Sequence, residues 1–179
     1  MLNQLLRQSK GGPYWRPERE SIVPLIYAVS PEVDNLIRQY DTTDGTYSGS
    51  ISDPDTLVQG PVHLIANGGL LYITVTPATE TSPLVLQYDS GAGTLSAVVT
   101  RSKTVLDLTH PSGMTFDGSG NFYLADLKEQ QVYQFNSGFT LTGDPFISSK
   151  NMPDGPEFIL WVNDDWLQSG NADAVRTPR

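Results

Sequence analysis

A pair of short motifs recurs three times along the chain at a nearly constant spacing. Each copy opens with an apolar residue followed by tyrosine, and it closes with glutamine, an aromatic residue and an aspartate or asparagine. The tyrosines lie 45 and 51 residues apart, and the glutamines lie 48 and 47 residues apart. Such a period indicates an array of similar structural units. The copies are Ile26-Tyr27 with Gln39-Tyr40-Asp41, Leu71-Tyr72 with Gln87-Tyr88-Asp89, and Phe122-Tyr123 with Gln134-Phe135-Asn136.

The residues between the motifs predict short β-strands joined by turns. Sixteen glycines and thirteen prolines suit this arrangement, and a period near 48 residues is typical of the four-stranded blades of β-propellers. We therefore predict an all-β fold, a β-propeller of about three four-stranded blades. The second unit has strands expected at 62–66, 71–75, 84–88 and 95–99, and the third at 113–116, 122–126, 131–135 and 139–141.

The two ends of the array are incomplete in complementary ways. The first unit has strands expected at 25–29, 36–40 and 47–51 but no innermost strand, whereas 155–161 is predicted to form an extra terminal strand. Propellers close with about four to eight blades. The chain is therefore either part of a longer propeller or half of a homodimer that completes a six-bladed ring by exchanging terminal strands. We divide it into an N-terminal arm (1–20), the blades (21–167) and a C-terminal tail (168–179).

Charge and composition narrow the classes of partner and chemistry. Residues 20–175 contain 19 acidic and five basic side chains, a net charge of −14, which disfavours binding to nucleic acid and anionic membranes. The chain has no cysteine, which excludes disulfides, thiolate nucleophiles and cysteine metal sites. It has no apolar run of membrane-spanning length and no signal-peptide pattern, so we expect a soluble chain whose compartment is unknown.

The third unit contains a longer motif than the other two. From Pro111 to Asp126 it follows the pattern Pro-x-Gly-aliphatic-x-aliphatic-Asp-x-x-Gly-Asn-aliphatic-Tyr-aliphatic-Ala-Asp, and it continues as Gln131-Val132-Tyr133-Gln134-Phe135. In these residues it resembles an NHL repeat. The resemblance implies a six-bladed propeller of the NHL and SMP-30-like group. Relatives in that group include protein-binding platforms, ligand sensors and metal-dependent lactonases.

The resemblance also suggests where a metal would bind. Lactonase-like relatives hold a divalent cation at the ring centre with carboxylate and amide oxygens, a donor set that suits calcium. Their first ligand lies in a Glu-Gly-Pro motif, and the nearest string here is Asp154-Gly155-Pro156-Glu157. Asp154 and Glu157 are therefore candidate metal ligands, although Asp154-Gly155 is also typical of a simple turn.

Three further side chains are candidate ligand-binding residues. His63 and His110 are expected near the starts of successive innermost strands, where functional groups of propellers converge. A hydrolase could use one as a general base, but no supporting catalytic motif accompanies them, so ordinary structural histidines are the simpler interpretation. Trp161, like Tyr14, Trp15 and Trp166, lies outside the repeat register and is a candidate contact residue.

Two functions remain open at this point. We favour a non-enzymatic platform that binds a protein or a small-molecule ligand, with no cofactor. The alternative is a metal-dependent hydrolase or lactonase of the SMP-30-like type, which would use calcium. In both cases the repeated aromatic residues are predicted to pack between blades.

Overall fold

A computed structural model describes residues 25–30, 35–53, 55–76, 79, 81–101, 108–152 and 154–162. Within these ranges the chain forms ten β-strands and one short 3-10 turn at Ser149–Asn151. The prediction of an all-β fold is confirmed. The strands form three antiparallel sheets, none of which closes on itself, and no helix in the described ranges is long and apolar enough to cross a membrane. The predicted arm, Trp166 and the tail lie outside the described residues.

The sheets follow one another in chain order, and each contains one copy of the repeat. The first sheet has β1 (Leu25–Ser30), β2 (Leu36–Asp41) and β3 (Tyr47–Ser50). The second has β4 (Pro61–Asn67), β5 (Leu70–Val75), β6 (Pro83–Asp89) and β7 (Thr94–Thr100). The third has β8 (Pro111–Phe116), β9 (Phe122–Asp126) and β10 (Gln131–Phe135).

The repeated tyrosine and glutamine form a cross-strand pair in every sheet. The two residues lie directly opposite each other on adjacent antiparallel strands, at distances where side chains interact. In the third sheet, Gln134 Nε2 donates a hydrogen bond of 2.8 Å to the Tyr123 hydroxyl. The sequence period therefore marks the same register in all three sheets. The pairs are Tyr27–Gln39, Tyr72–Gln87 and Tyr123–Gln134.

Each motif contributes to both faces of its sheet because successive side chains on a strand point to opposite faces. The tyrosine and glutamine lie on one face, which we call the Tyr–Gln face. The apolar residue before the tyrosine and the aromatic residue after the glutamine lie on the other, which we call the apolar face. Its members in the second sheet include Leu71, Tyr88 and Leu95, and those in the third include Phe122, Phe135 and Leu141.

The sheets stack so that each apolar face covers the Tyr–Gln face of the preceding sheet. Tyr27 of the first sheet contacts Tyr88 of the second, with ring centroids 6.5 Å apart. Tyr72 of the second sheet contacts Phe116 of the third at 4.8 Å. In addition, β1 packs against β4, and β4 packs against β8. The prediction that the repeated aromatic residues pack between units is confirmed for these contacts.

The third sheet has three strands, so the predicted fourth strand at 139–141 is wrong. Only isolated bridges form there, between Phe135 and Leu141 and between Val132 and Ile147. The side chain of Asn136 accepts hydrogen bonds from the backbone N–H groups of residues 138 and 140. After this turn the chain stays beside β10, where the Thr142 N–H donates to the Gln134 carbonyl and Val132 and Ile147 exchange backbone hydrogen bonds. Residues 143–146 intervene between these two contacts, so the bridges do not join into a continuous ladder.

The extra terminal strand predicted at 155–161 is also wrong. The segment lies across one face of β8 instead of beside a strand, and its hydrogen bonds go to side chains. Ser112 Oγ donates to the Pro156 carbonyl at 2.6 Å, and the Trp161 N–H donates to Thr115 Oγ1 at 3.1 Å. Pro156 also lacks the N–H that a regular ladder needs.

Candidate functional site

The Tyr–Gln face of the third sheet differs from the other two because no sheet covers it in the described part of the chain. Residues 146–152 and 154–162, which we call the cover, lie over it instead. Tyr123, Ala125 and Val132 of the sheet form a small core with apolar side chains of the cover. These cover residues are Ile147, Met152 and Ile159.

Tyr123 lies at the centre of a cleft between the third sheet and the cover. Its ring contacts Phe146 with centroids 5.1 Å apart, and it stacks nearly parallel to Trp161 at 6.3 Å and 11°. The cleft has a volume of about 210 Å³ and is lined by aliphatic and aromatic side chains together with Thr115. It is smaller than the roughly 300–1,000 Å³ of typical small-molecule sites. Its size fits a protein side chain better than a whole cofactor.

Large apolar side chains of the cover remain exposed to solvent around this cleft. Their exposed fractions range from 37% to 75%. Three of them, Phe146, Leu160 and Trp161, line the cleft. Exposed apolar surface of this kind is typical of contact sites, and tryptophan is enriched among the residues that dominate binding energy. The exposed residues are Phe146, Phe158, Leu160, Trp161 and Val162.

Two glycines allow the cover to approach the sheet. A Cβ atom at Gly113 would lie 2.6 Å from the Cα atom of Phe158, closer than real Cβ contacts allow. A Cβ atom at Gly155 would overlap the backbone carbonyl of Leu127. Both contacts are with backbone atoms, which cannot rotate away as the end of a side chain can. The close seating of the cover therefore depends on the absence of side chains at these two positions.

A hydrogen-bonded group fixes the Tyr123 ring. The Tyr123 hydroxyl donates to Asp117 Oδ2 at 3.1 Å while it accepts from Gln134. Burial, followed by the hydrogen bond to Asp117 and the charge of that carboxylate, raises the pKa of Tyr123. For Asp117, desolvation raises the pKa, but hydrogen bonds led by those from Asn121 outweigh it and lower the pKa overall. Tyr123 therefore stays a neutral donor, and its ring is held in place.

Asp126 is fully buried at the end of β9. It is the last residue of the NHL-like pattern, but no role was predicted for it from the sequence. Its carboxylate accepts four backbone hydrogen bonds. Oδ2 binds the N–H groups of Thr109 and His110 at 2.8 and 3.2 Å, and Oδ1 binds those of Lys128 and Glu129 at 3.0 and 2.9 Å. The feature of the sequence that could have indicated this role is an acidic residue at the end of an apolar strand.

The structure separates the two candidate histidines. His63 lies on β4 in a half-buried position, where Nδ1 accepts a bond of 3.4 Å from the Met114 N–H and the ring contacts Phe158 at 5.6 Å. Burial lowers the pKa of His63. His110 is exposed, and its backbone is held by Asp126. Within the described residues no hydrogen bond or ring contact joins the two imidazoles.

Asp154 and Glu157 lie at the start of the cover segment that crosses β8, and both are exposed. Calcium takes about six to eight oxygen ligands, so two carboxylates would supply only part of a site. In the described part of the chain, no group of three or more His, Asp or Glu side chains is placed to hold a metal ion. Calcium binding through Asp154 and Glu157 therefore stays a prediction.

Trp161 is the sequence-predicted contact residue that the structure places in the cleft. It is nearly half exposed at 47%, and His63 reaches the same cover segment through Phe158. Tyr14, Trp15 and Trp166 lie outside the described residues. No protein-family model matches this chain, and no curated protein is similar to it. The resemblance of the third unit to NHL repeats therefore stays a prediction that rests on the residues given above.

Proposed function

We propose that the three sheets are consecutive blades of an NHL-like β-propeller and that the chain is a non-enzymatic platform for binding another protein. Stacking in chain order through equivalent faces supports the propeller, because neighbouring blades pack in this way. The exposed apolar surface of the cover carries the functional proposal. It lies on the one Tyr–Gln face that no described sheet covers.

The properties of the cleft favour a protein partner over a small molecule. Its volume of about 210 Å³ accepts one or two side chains. Trp161 and Leu160 project beside it and are 47% and 75% exposed, so they can enter a complementary surface. The lining groups supply apolar contact and a threonine hydroxyl, which suits recognition better than proton transfer.

Selection of random linear peptides displayed on phage against the sparsely immobilised protein tests this proposal. We expect enriched peptides with aromatic or aliphatic anchors. Trp161→Ser removes a central anchor and should weaken their binding by at least about tenfold. Val62→Ser is the matched control, since Val62 is exposed but lies on β4, away from the cleft. Failure to enrich any peptide when the immobilised chain is monomeric, or equal binding to the wild type and Trp161→Ser, would refute the proposal.

A further inference from the structure

One type of contact between sheets occurs twice within the chain. The apolar face of the second sheet packs on the Tyr–Gln face of the first, and the apolar face of the third packs on that of the second. In both cases the motif tyrosine of the earlier sheet contacts an aromatic ring of the later sheet. Each sheet therefore presents two different faces that are complementary to each other.

The apolar face of the first sheet has no partner sheet within the part of the chain that the structure describes. It contains Ile26 and Tyr40, which are register partners, and Tyr47, whose ring lies 5.9 Å from that of Tyr40. The equivalent residues of the second sheet, Leu71, Tyr88 and Leu95, pack into the core against the first sheet. By contrast, Ile26 is 55% exposed and Tyr47 is 59% exposed.

Exposed apolar side chains are concentrated at the two ends of the stack. Of the nine large apolar side chains that are exposed in the described residues, two lie on the apolar face of the first sheet and five on the cover. The other two, Val62 and Leu127, lie elsewhere. Because association buries such surface, the two ends are the natural contact regions.

We propose that the protein bound at the cover is a second copy of this chain, which contributes the apolar face of its first sheet. This inference rests on the proposed function and names its partner. Ile26 and Tyr47 of the second copy would contact Phe146, Leu160 and Trp161 of the first. Two equivalent contacts close a ring of six sheets, a number within the roughly four to eight blades of known propellers, and closure leaves neither end free.

Sedimentation velocity of the full chain over a range of concentrations tests the inference. The wild type should have twice the 19.6 kDa mass of one chain. Ile26→Asp changes one end and Leu160→Asp changes the other, and each should raise the dimer dissociation constant by at least about tenfold. Val62→Asp is the matched control and should remain a dimer. If circular dichroism shows that either end variant is unfolded, Tyr47→Asp or Phe146→Asp replaces it.

Mixing the two end variants tests whether the contact is head to tail. The Leu160→Asp chain keeps an intact first sheet, and the Ile26→Asp chain keeps an intact cover, so one contact can form between them. We expect a fluorescently labelled Leu160→Asp chain to sediment as a dimer only when Ile26→Asp is added. No recovery on mixing, or loss of the dimer in the Leu160→Asp variant but not in the Ile26→Asp variant, would overturn the head-to-tail contact.

The peptide selection separates failure of this inference from failure of the proposed function. A monomeric wild type whose cover still binds selected peptides would overturn the second copy as partner and leave the proposed function standing. A monomeric wild type that binds no peptide would overturn both. Larger open-ended assemblies would also overturn the closed ring, because a head-to-tail contact that fails to close builds filaments.

Discussion

Asp126 joins two segments that are distant in the sequence. Its carboxylate holds the N–H groups at the entry to β8 and those in the turn after β9. These backbone groups would otherwise need water at the edge of the core, and an unsatisfied buried polar group costs about 1–3 kcal/mol. A single side chain thereby fixes where β8 begins relative to β9.

Replacing Asp126 should strongly destabilise the fold. Asp126→Ala removes all four acceptor contacts, and we expect a loss of about 2–4 kcal/mol in the free energy of unfolding. Asp126→Asn keeps one acceptor oxygen and should cost about half as much. Urea denaturation followed by circular dichroism measures both values. Asp144→Asn removes the same charge at an exposed position and should stay near the wild type; an equal loss there would contradict the role of Asp126.

His63 should make stability depend on pH. Burial lowers the pKa of the folded imidazole below the ordinary 6.5, so the unfolded chain binds the proton more readily. The stability contribution is fully present above the unfolded pKa of about 6.5 and is lost as the pH falls from there through the lowered pKa of the folded imidazole. We expect the urea midpoint to fall between about pH 8 and pH 5, and less steeply in His63→Gln. Identical slopes in the wild type and His63→Gln would refute this prediction.

At the scale of strands, the sequence predicted the strand bounds best where alternating apolar and polar residues are flanked by clear turn residues. The predicted strands at 122–126 and 131–135 match β9 and β10, and those of the second unit match to within a residue or two. The errors at 139–141 and 155–161 arose because short apolar runs suggest strands whether or not a neighbouring ladder is available. The cleft was not predictable, because it depends on the cover crossing β8 at Gly113.

Gly113→Ala should displace the cover while leaving the sheets intact. The new methyl group would lie within 2.9 Å of three backbone atoms of residues 157–159, so the segment must shift. We expect destabilisation of about 1–3 kcal/mol and faster proteolysis near residue 157. Gly118→Ala is the matched control, because its Cβ atom would meet nothing within 4 Å and its φ is not positive. Unchanged proteolysis in Gly113→Ala would show that the cover is not seated as described.

For the whole molecule, the second sheet connects the two largest cores. One core lies between the first and second sheets and contains Ile73 and Leu86, while the other lies between the second and third and contains Leu84 and Met114. Thr74 Oγ1 also donates a buried hydrogen bond of 2.9 Å to the Ser112 carbonyl, which joins β5 to β8. Since each face of the second sheet packs against a neighbouring sheet, each outer sheet loses its larger core if the second sheet unfolds.

This arrangement predicts that the three sheets unfold together. Leu86→Ala in the first core and Leu124→Ala in the second each remove a fully buried side chain and should cost about 2–5 kcal/mol. Because the cores share the second sheet, each variant should lower one common transition, with circular dichroism and tryptophan fluorescence coinciding. The units of a stacked array contact only their neighbours. The array therefore unfolds cooperatively when the contacts between units contribute more stability than each unit has by itself. Two separate transitions, each sensitive to only one variant, would mean that the sheets are stable independently.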